Sequence, residues 1–496
     1  MSYHKCLDMK SYFLLILCIF SSYGYGQETA SAIEAIIKRE MAERKIPGLQ
    51  IAVVKEGKVI VKRSFGVANV QDQVPVTDTT VFAINSCTKV FTGTAIMQLA
   101  EQGKVDLSAP VSRYLDDLPE QWQKVTIEQM MTHISGFPEI LKLFDPATGD
   151  TSKTEKEIWD ELKGLPMEFK TGEQFSYNQT NYYLLGKIIN KLSGKSFDQF
   201  FKEEQFQKVG MPHTLFGDSR DVIPHFAPTY RYRNMTEGEN GNRQKLVNDY
   251  FIFPPYSRTG AGLNSTAEDL AMWIIALQSG KLLKTEESLQ RMWKPIKMNN
   301  GSQTMWSPGW GLTKFRTKHK AIGMSGGGRS AFLVYPDDHL AIIVLTNLAG
   351  SYPEEFLEEL AGVYYPEIIK SDPLTYLRLH LKKIGFDKAI ELVNSEKKKN
   401  PDFKPQEAEL NNWGYRMMSE NNIKNASEIF KLNVYLFPNS WNAYDSYGEA
   451  LLKLGNKSQA AIMYRKSIDL NPDNEYGKKV LNEIFTANGS TNSSVK

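Results

Sequence analysis

The chain is 496 residues long and carries a formal net charge of +2. That length exceeds one ordinary domain, so two or three domains are expected. The near-balanced charge and the lack of a long basic block argue against nucleic acid as a partner, and a 41% hydrophobic content excludes global disorder.

The N-terminus reads as an export signal, residues 1–26. Lys5 and Lys10 supply positive charge, Phe13 to Phe20 is an apolar run, and Gly24-Tyr25-Gly26 offers small residues for cleavage after Gly26. Met9 is an alternative start. The run is too short to span a bilayer comfortably, although an uncleaved anchor is the alternative reading. Cys18 follows the bulky Leu17, so no lipid anchor is expected. Of the three cysteines, Cys6 and Cys18 lie in the signal. The mature chain keeps Cys87 alone, which rules out an intrachain disulfide and a cysteine zinc site.

Residues 27–368 read as one domain. Leu49 to Val54 is an apolar strand, Lys55-Glu56-Gly57-Lys58 a turn, and Val59-Ile60-Val61 the return. A second hairpin runs from Ala331 to Tyr335, turns at Pro336-Asp337-Asp338, and returns along Leu340 to Leu345. Between them the patterns are helical. Phe91, Ala95, Leu99 and Ala100 share a face of an amphipathic helix that Gly103 stops. Strands at both ends with helices between predict an α/β (α+β) fold: an antiparallel sheet closed by the two ends of the domain, flanked by helices, with an inserted helical lobe.

Residues 369–486 change character. Trp413-Gly414-Tyr415, Ala426, Phe430 and Pro438 recur 34 residues later as Tyr447-Gly448-Glu449, Ala460, Tyr464 and Pro472. That period and pattern are tetratricopeptide-like, with two helices per repeat and small residues where they cross. Gly385, Ala389 and Pro401 form a degenerate earlier copy. An all-α repeat domain of this kind is expected to offer a binding surface to a protein partner. Residues 487–496 read as a disordered tail.

The chemistry centres on Ser86-Cys87-Thr88-Lys89. On a helix, Lys89 shares a face with Ser86 and reaches its hydroxyl. A serine alcohol needs a base to become a nucleophile, and desolvation can lower a lysine's pKa enough to supply one. The spacing alone is unspecific: Ser2/Lys5, Ser395/Lys398 and Ser493/Lys496 share it. The Ser86 copy differs in context, since it follows the strand-like Val81 to Asn85 and opens the helix.

The run Phe82 to Gly93 resembles the first catalytic motif of the class C β-lactamase-related serine hydrolases, a family that includes penicillin-binding-protein-like enzymes. Leu99 to Leu107, Pro110-Val111, Tyr114-Leu115, Met131 to Phe137 and Gly262 to Leu270 resemble later family blocks in the family's order. The resemblance covers roughly residues 30–365. It implies Tyr177 as the tyrosine of a Tyr-x-Asn motif, sharing the proton of Ser86 and passing it to the leaving group. Read alone, Tyr177 is a half-buried packing residue. Gln179 stands where Asn is usual and keeps the amide on a longer stem. The third motif, a basic residue, then Thr or Ser, then Gly, is represented by Met324-Ser325-Gly326, anchored by Gly323. Met324 has no charge and no proton, which argues against penicillin chemistry. The amides of Ser86 and Gly327 are the expected oxyanion hole, and Gln179, Met324, Ser325 and Gly326 the expected substrate contacts.

His133 in its Thr-His-x-Ser-Gly turn and Cys87 beside the nucleophile are expected to be structural. No metal or cofactor is expected. The resulting expectation is an exported, periplasmic or secreted, hydrolase that cleaves an ester or amide bond in a small molecule or peptide through an acyl-enzyme at Ser86. The alternatives are a true β-lactamase or D,D-peptidase, and a silent binding protein that works through its repeats.

Overall fold

The computed structural model describes residues 28–144, 153–234, 244–304, 306–314, 316 and 318–489. They form two compact units that divide between Tyr365 and Pro366, where the sequence had suggested 368/369. Residues 1–26, expected to be an export signal, lie outside the described residues. Among them, no helix is long and apolar enough to cross a membrane.

The first unit is built on a seven-stranded sheet. Gly48–Lys55 pairs antiparallel with Lys58–Asn69 on one side and with Leu340–Thr346 on the other, so the two ends of the unit close the sheet as expected. Ser330–Tyr335, Ala321–Gly326 and Leu312–Lys314 continue it outward. Gly48–Lys55 and Leu340–Thr346 are buried along almost their whole length. Their near-continuous apolar runs, in place of alternation, reflect a sheet covered on both faces. One face packs on the helix Ala267–Gln278 and the main core. On the other, Leu357–Ala361 contacts the inner strands. Arg39 and Arg44, on a helix over residues 28–44 that sequence patterning had not singled out, pair with Glu359 and Glu355.

The helical lobe is inserted between Phe82–Ala83 and Ala321–Gly326. At its centre Thr88–Glu101 is buried on every side from Thr88 to Leu99. The amphipathic reading of this helix is therefore corrected: the lobe wraps it, leaving no solvent face. A small three-stranded sheet leads into it, with Phe82–Ala83 paired to Leu263–Ser265, and the latter to Leu215–Phe216.

The second unit is all-helical. Glu407–Ser419 pairs with Ile423–Leu436, and Trp441–Lys453 with Lys457–Leu470. Gly414 lies against the Phe430 ring and Gly448 against the Tyr464 ring, the same crossing one period apart. The turns between paired helices carry left-handed residues at the equivalent positions Asn421 and Gly455. The earlier copy is also a helix pair, Pro373–Ile384 and Ala389–Lys399, with Gly385 in its turn. The last helix, Glu475–Gly489, runs past residue 487, where the tail had been expected to begin. Residues 490–496 lie outside the described region.

Candidate active site

Ser86 sits in a single 3-10 turn, Asn85–Cys87, that feeds directly into the helix Thr88–Glu101. The turn is pinned from three sides. Ile84 N–H donates to Leu263 O at 3.0 Å, Thr88 Oγ1 donates to Asn85 O at 2.6 Å, and Ser330 Oγ donates to Ile84 O at 2.8 Å. Asn85 takes φ +46° to make the bend, a conformation that Asn tolerates better than most residues. Ser86 is thus held at the start of a helix, where the backbone dipole favours negative charge.

Tyr177 donates its hydroxyl to Ser86 Oγ at 2.8 Å. The residue is 38% exposed, and Phe175 close by is exposed as well. On the protein side it packs on His133 (centroids 4.6 Å apart) and Trp306 (5.3 Å). Burial pushes the phenol well above the ordinary tyrosine range, so it is a proton donor at neutral pH.

Lys89 is fully buried beneath this ring, its Nζ 4.6 Å from the Tyr177 ring centroid and 5.0 Å from that of Tyr182. Sequence spacing had predicted a contact with Ser86. Instead, the hydrogen bonds of Nζ run to Gln179 Oε1 at 3.0 Å and Gly260 O at 2.8 Å. Both acceptors lie on segments packed against the helix, so these tertiary contacts, and not the i, i+3 spacing, fix where the ammonium points. Burial lowers the Lys89 pKa to about 7, opposed by the charge of Glu139. Its free base is therefore well populated at neutral pH.

Gln179 opens the helix Gln179–Ser193. Its side chain is longer than the usual Asn, and the room comes from Gly260, where a Cβ would stand 2.4 Å from Gln179 Oε1. The third motif lies at the end of the strand Ala321–Gly326. Gly326 is pressed against the Ser86 turn: a Cβ there would lie 2.0 Å from Ile84 O and 2.9 Å from Ser86 N. Ser325 is half-buried, and Gly327 is exposed with φ +58°. Met324 is 2% exposed and belongs to the apolar core with Ile322 and Phe332. Its side chain is therefore part of that core, at the position where a substrate contact was expected.

His133 is fully buried, and its Nδ1 accepts Asn178 N–H at 3.1 Å. Burial and the Lys89 charge hold it neutral, well below the ordinary histidine range. It supports the Tyr177 ring and does not face Ser86 directly. Cys87 is buried too, and its thiol is pushed up to about 12 by desolvation, which makes it inert. Among the described residues, no group of His, Cys, Asp and Glu could hold a metal ion.

Glu139, Gly260, Tyr182 and Trp306 complete the site, and sequence reading had not singled them out. Glu139 follows the Gly136-Phe137-Pro138 turn, and Gly260 lies just ahead of the block beginning at Gly262. Those positions were the available signals.

A family model described as Beta-lactamase matches residues 33–362. The chain is 26% identical over 339 residues to Protein flp of Staphylococcus aureus (strain MW2), a match covering 67% of this chain and 66% of that protein, just under two thirds of its length. It is 29% identical over 307 residues to Penicillin-binding protein 4* of Bacillus subtilis (strain 168), covering 60% of this chain and 67% of that one. Among solved structures, the octameric penicillin-binding protein homologue from Pyrococcus abyssi superimposes with a TM-score of 0.59 at 28% identity, over 72% of this chain and 82% of that one. The penicillin-binding protein from Bacillus halodurans shares the fold, with a TM-score of 0.52 at 24% identity, over 64% of this chain and 95% of that one.

Proposed function

The chain belongs to the beta-lactamase family, and we propose that within it the protein is an exported serine hydrolase that cleaves an ester or amide bond in a small molecule or peptide through an acyl-enzyme at Ser86. The observation that carries this reading is the contact between Tyr177 Oη and Ser86 Oγ, with Lys89 buried under the same ring.

Ser86 Oγ attacks the substrate carbonyl carbon, a C–O bond forms, and the carbonyl oxygen takes the negative charge. The amides of Ser86 and Gly327 are the donors for that oxyanion. Lys89, whose free base is available near pH 7, takes up the proton released from Ser86. Tyr177, the group in direct contact with Ser86, relays that proton to Lys89 and then from Lys89 to the leaving group. Collapse breaks the carbonyl–leaving-group bond, and water then attacks the acyl-enzyme by the reverse route. No step needs a cofactor. Gln179, Ser325 and Gly326 line the path of the substrate.

The likeness to Penicillin-binding protein 4* of Bacillus subtilis favours a second reading, a β-lactamase or D,D-peptidase. Met324 opposes it, since an apolar core side chain holds the position of the family's basic residue. The second unit, with its 34-residue period, is read as a tetratricopeptide-like surface for a protein partner.

The test is intact mass after incubation with a fluorophosphonate serine probe, beside Ser86→Ala. An adduct on Ser86 that the variant lacks supports the hydrolase. No adduct on the wild type overturns it in favour of a binding protein.

A further inference from the structure

Glu139 lies outside the three motifs, yet its carboxylate joins two parts of the site. Oε1 accepts Leu141 N–H at 3.0 Å within its own turn. Oε2 accepts Gln179 N–H at 2.8 Å, the first amide of the helix Gln179–Ser193. The same junction is closed by Asn178 Nδ2 to Phe137 O (2.8 Å), Thr180 Oγ1 to Pro138 O (2.6 Å) and Ile140 N–H to Thr180 Oγ1 (2.9 Å). Three neutral hydrogen bonds already fasten the loop to the helix. A carboxylate is not needed for fastening, and burying its charge is costly. What the charge adds is a negative group at a helix N-terminus whose first residue, Gln179, holds the Lys89 ammonium through Oε1.

We propose that Glu139 is a positioning residue for catalysis: it seats Gln179 under Lys89 and supplies the negative charge that sets the pH at which Lys89 gives up its proton. This rests on the reading of Ser86 as nucleophile and Lys89 as its base. The titratable groups facing Lys89 are Tyr177 and Tyr182 by their rings, and Glu139, His133 and Cys87 by their charge states. The phenols are pushed up and the imidazole down, so all three are neutral near pH 7, and the Cys87 thiol is neutral as well. Burial raises the Glu139 carboxyl, while the two backbone N–H groups it accepts favour its ionised form, so Glu139 is the one of these groups left to set a negative charge against the Lys89 ammonium. Glu168 and Lys142 act on Glu139 from outside and pair with each other.

The experiment follows the rate of Ser86 labelling by a fluorophosphonate probe against pH, for wild type, Glu139→Gln and Glu139→Ala. Glu139→Gln keeps the shape and an acceptor oxygen but loses the charge. Its rising acid limb is expected to move to lower pH by roughly one unit, so near pH 6 it reaches a larger fraction of its own plateau than wild type does. A purely structural role would lower the plateau and leave the limb in place, and that result would overturn the proposal. Glu139→Ala should shift the limb and also lower the plateau. Should wild type take no label, the nucleophile reading is what has failed. The Lys89 midpoint, read by NMR of its 13C-labelled ε-carbon in Ser86→Ala with and without Glu139→Gln, then decides this proposal alone. A lower midpoint without Glu139 supports it and an unchanged one overturns it.

Discussion

Gly260 and Gln179 are fitted to each other: a Cβ on Gly260 would stand 2.4 Å from Gln179 Oε1, the atom that accepts Lys89 Nζ. The longer amide at this position is therefore compensated by a missing side chain opposite it. The carbonyl of Gly260 is the second acceptor for the same ammonium, so one glycine serves both contacts of Lys89.

Gly260→Ala is expected to push Oε1 off Lys89 and cut the probe-labelling rate by about tenfold or more, the loss of one hydrogen bond to a charged group. Adding Gln179→Asn shortens the amide and frees the space, so the double variant should recover part of the rate. A double variant slower than both single variants would show that the fit between 179 and 260 is not what matters.

Lys89 carries a pH signature of its own. Its folded value of about 7 lies below its ordinary 10.5. Between those values the unfolded chain binds more protons than the folded one, so Lys89 makes stability rise with pH across that window, and the burial penalty is felt in full below about pH 7. Lys89→Met removes the term. The gain in melting temperature of Lys89→Met over wild type should shrink as the pH goes from about 6 to about 9, while probe labelling by the variant stays negligible throughout. A gap that is constant with pH would mean that the buried lysine stays charged across the range, with no lowered pKa.

Tyr177→Phe keeps the ring against His133 and Trp306 and removes only the hydroxyl on Ser86. Labelling should fall by about a hundredfold or more, the usual worth of a positioned acid–base group, with the melting temperature nearly unchanged. A large drop in stability would instead assign the hydroxyl a packing role.

The features legible in the sequence are those written in consecutive residues. Leu49 to Val54 and Leu340 to Leu345 read as strands because their apolar runs are unbroken, and the period of 34 sets Gly414 and Gly448 at like positions. Ser86 and Tyr177 stood out through their neighbours in the chain. Three features were not legible because each is a distance between segments: Glu139 on the Gln179 amide, Gly260 beside the Gln179 side chain, and Trp306 against Tyr177. The direct bond expected between Lys89 and Ser86 was not legible for the same reason, since the ammonium is drawn to Gln179 Oε1 and Gly260 O on other segments. The place of Met324 in the third motif was legible, but its burial beside Phe332 of the neighbouring strand is a contact between segments.

Met324 in turn sets an expectation for engineering. A histidine at a position 2% exposed in an apolar core would be held neutral by desolvation and would lose the packing of the thioether. Met324→His is expected to lower stability on the order of 2 kcal/mol in chemical denaturation, and to leave β-lactam turnover absent. Met324→Leu conserves volume and should cost less than about 1.5 kcal/mol. Turnover of a β-lactam by Met324→His would show that the strand turns this side chain into the cleft.

The helical unit offers a comparison between two glycines in equivalent places. A Cβ on Gly414 would meet Phe430 ring atoms at 2.6 Å, while one on Gly448 would meet Tyr464 ring atoms at 3.1 Å. The first contact is closer than real Cβ atoms come, so the ring or the helix must move. The second asks for a shift of a few tenths of an ångström. Overpacking of this kind costs about 1–3 kcal/mol, and an alanine in mid-helix regains up to about 1 kcal/mol of backbone propensity over glycine. The two terms nearly cancel at position 448 and do not at 414. Gly414→Ala should therefore destabilise the full-length chain in chemical denaturation clearly more than Gly448→Ala, which should be close to neutral. Equal losses would mean that the two crossings have the same spacing. A greater loss at 448 would mean that the Tyr464 ring, whose far end is fixed by its own packing, yields less than the Phe430 ring.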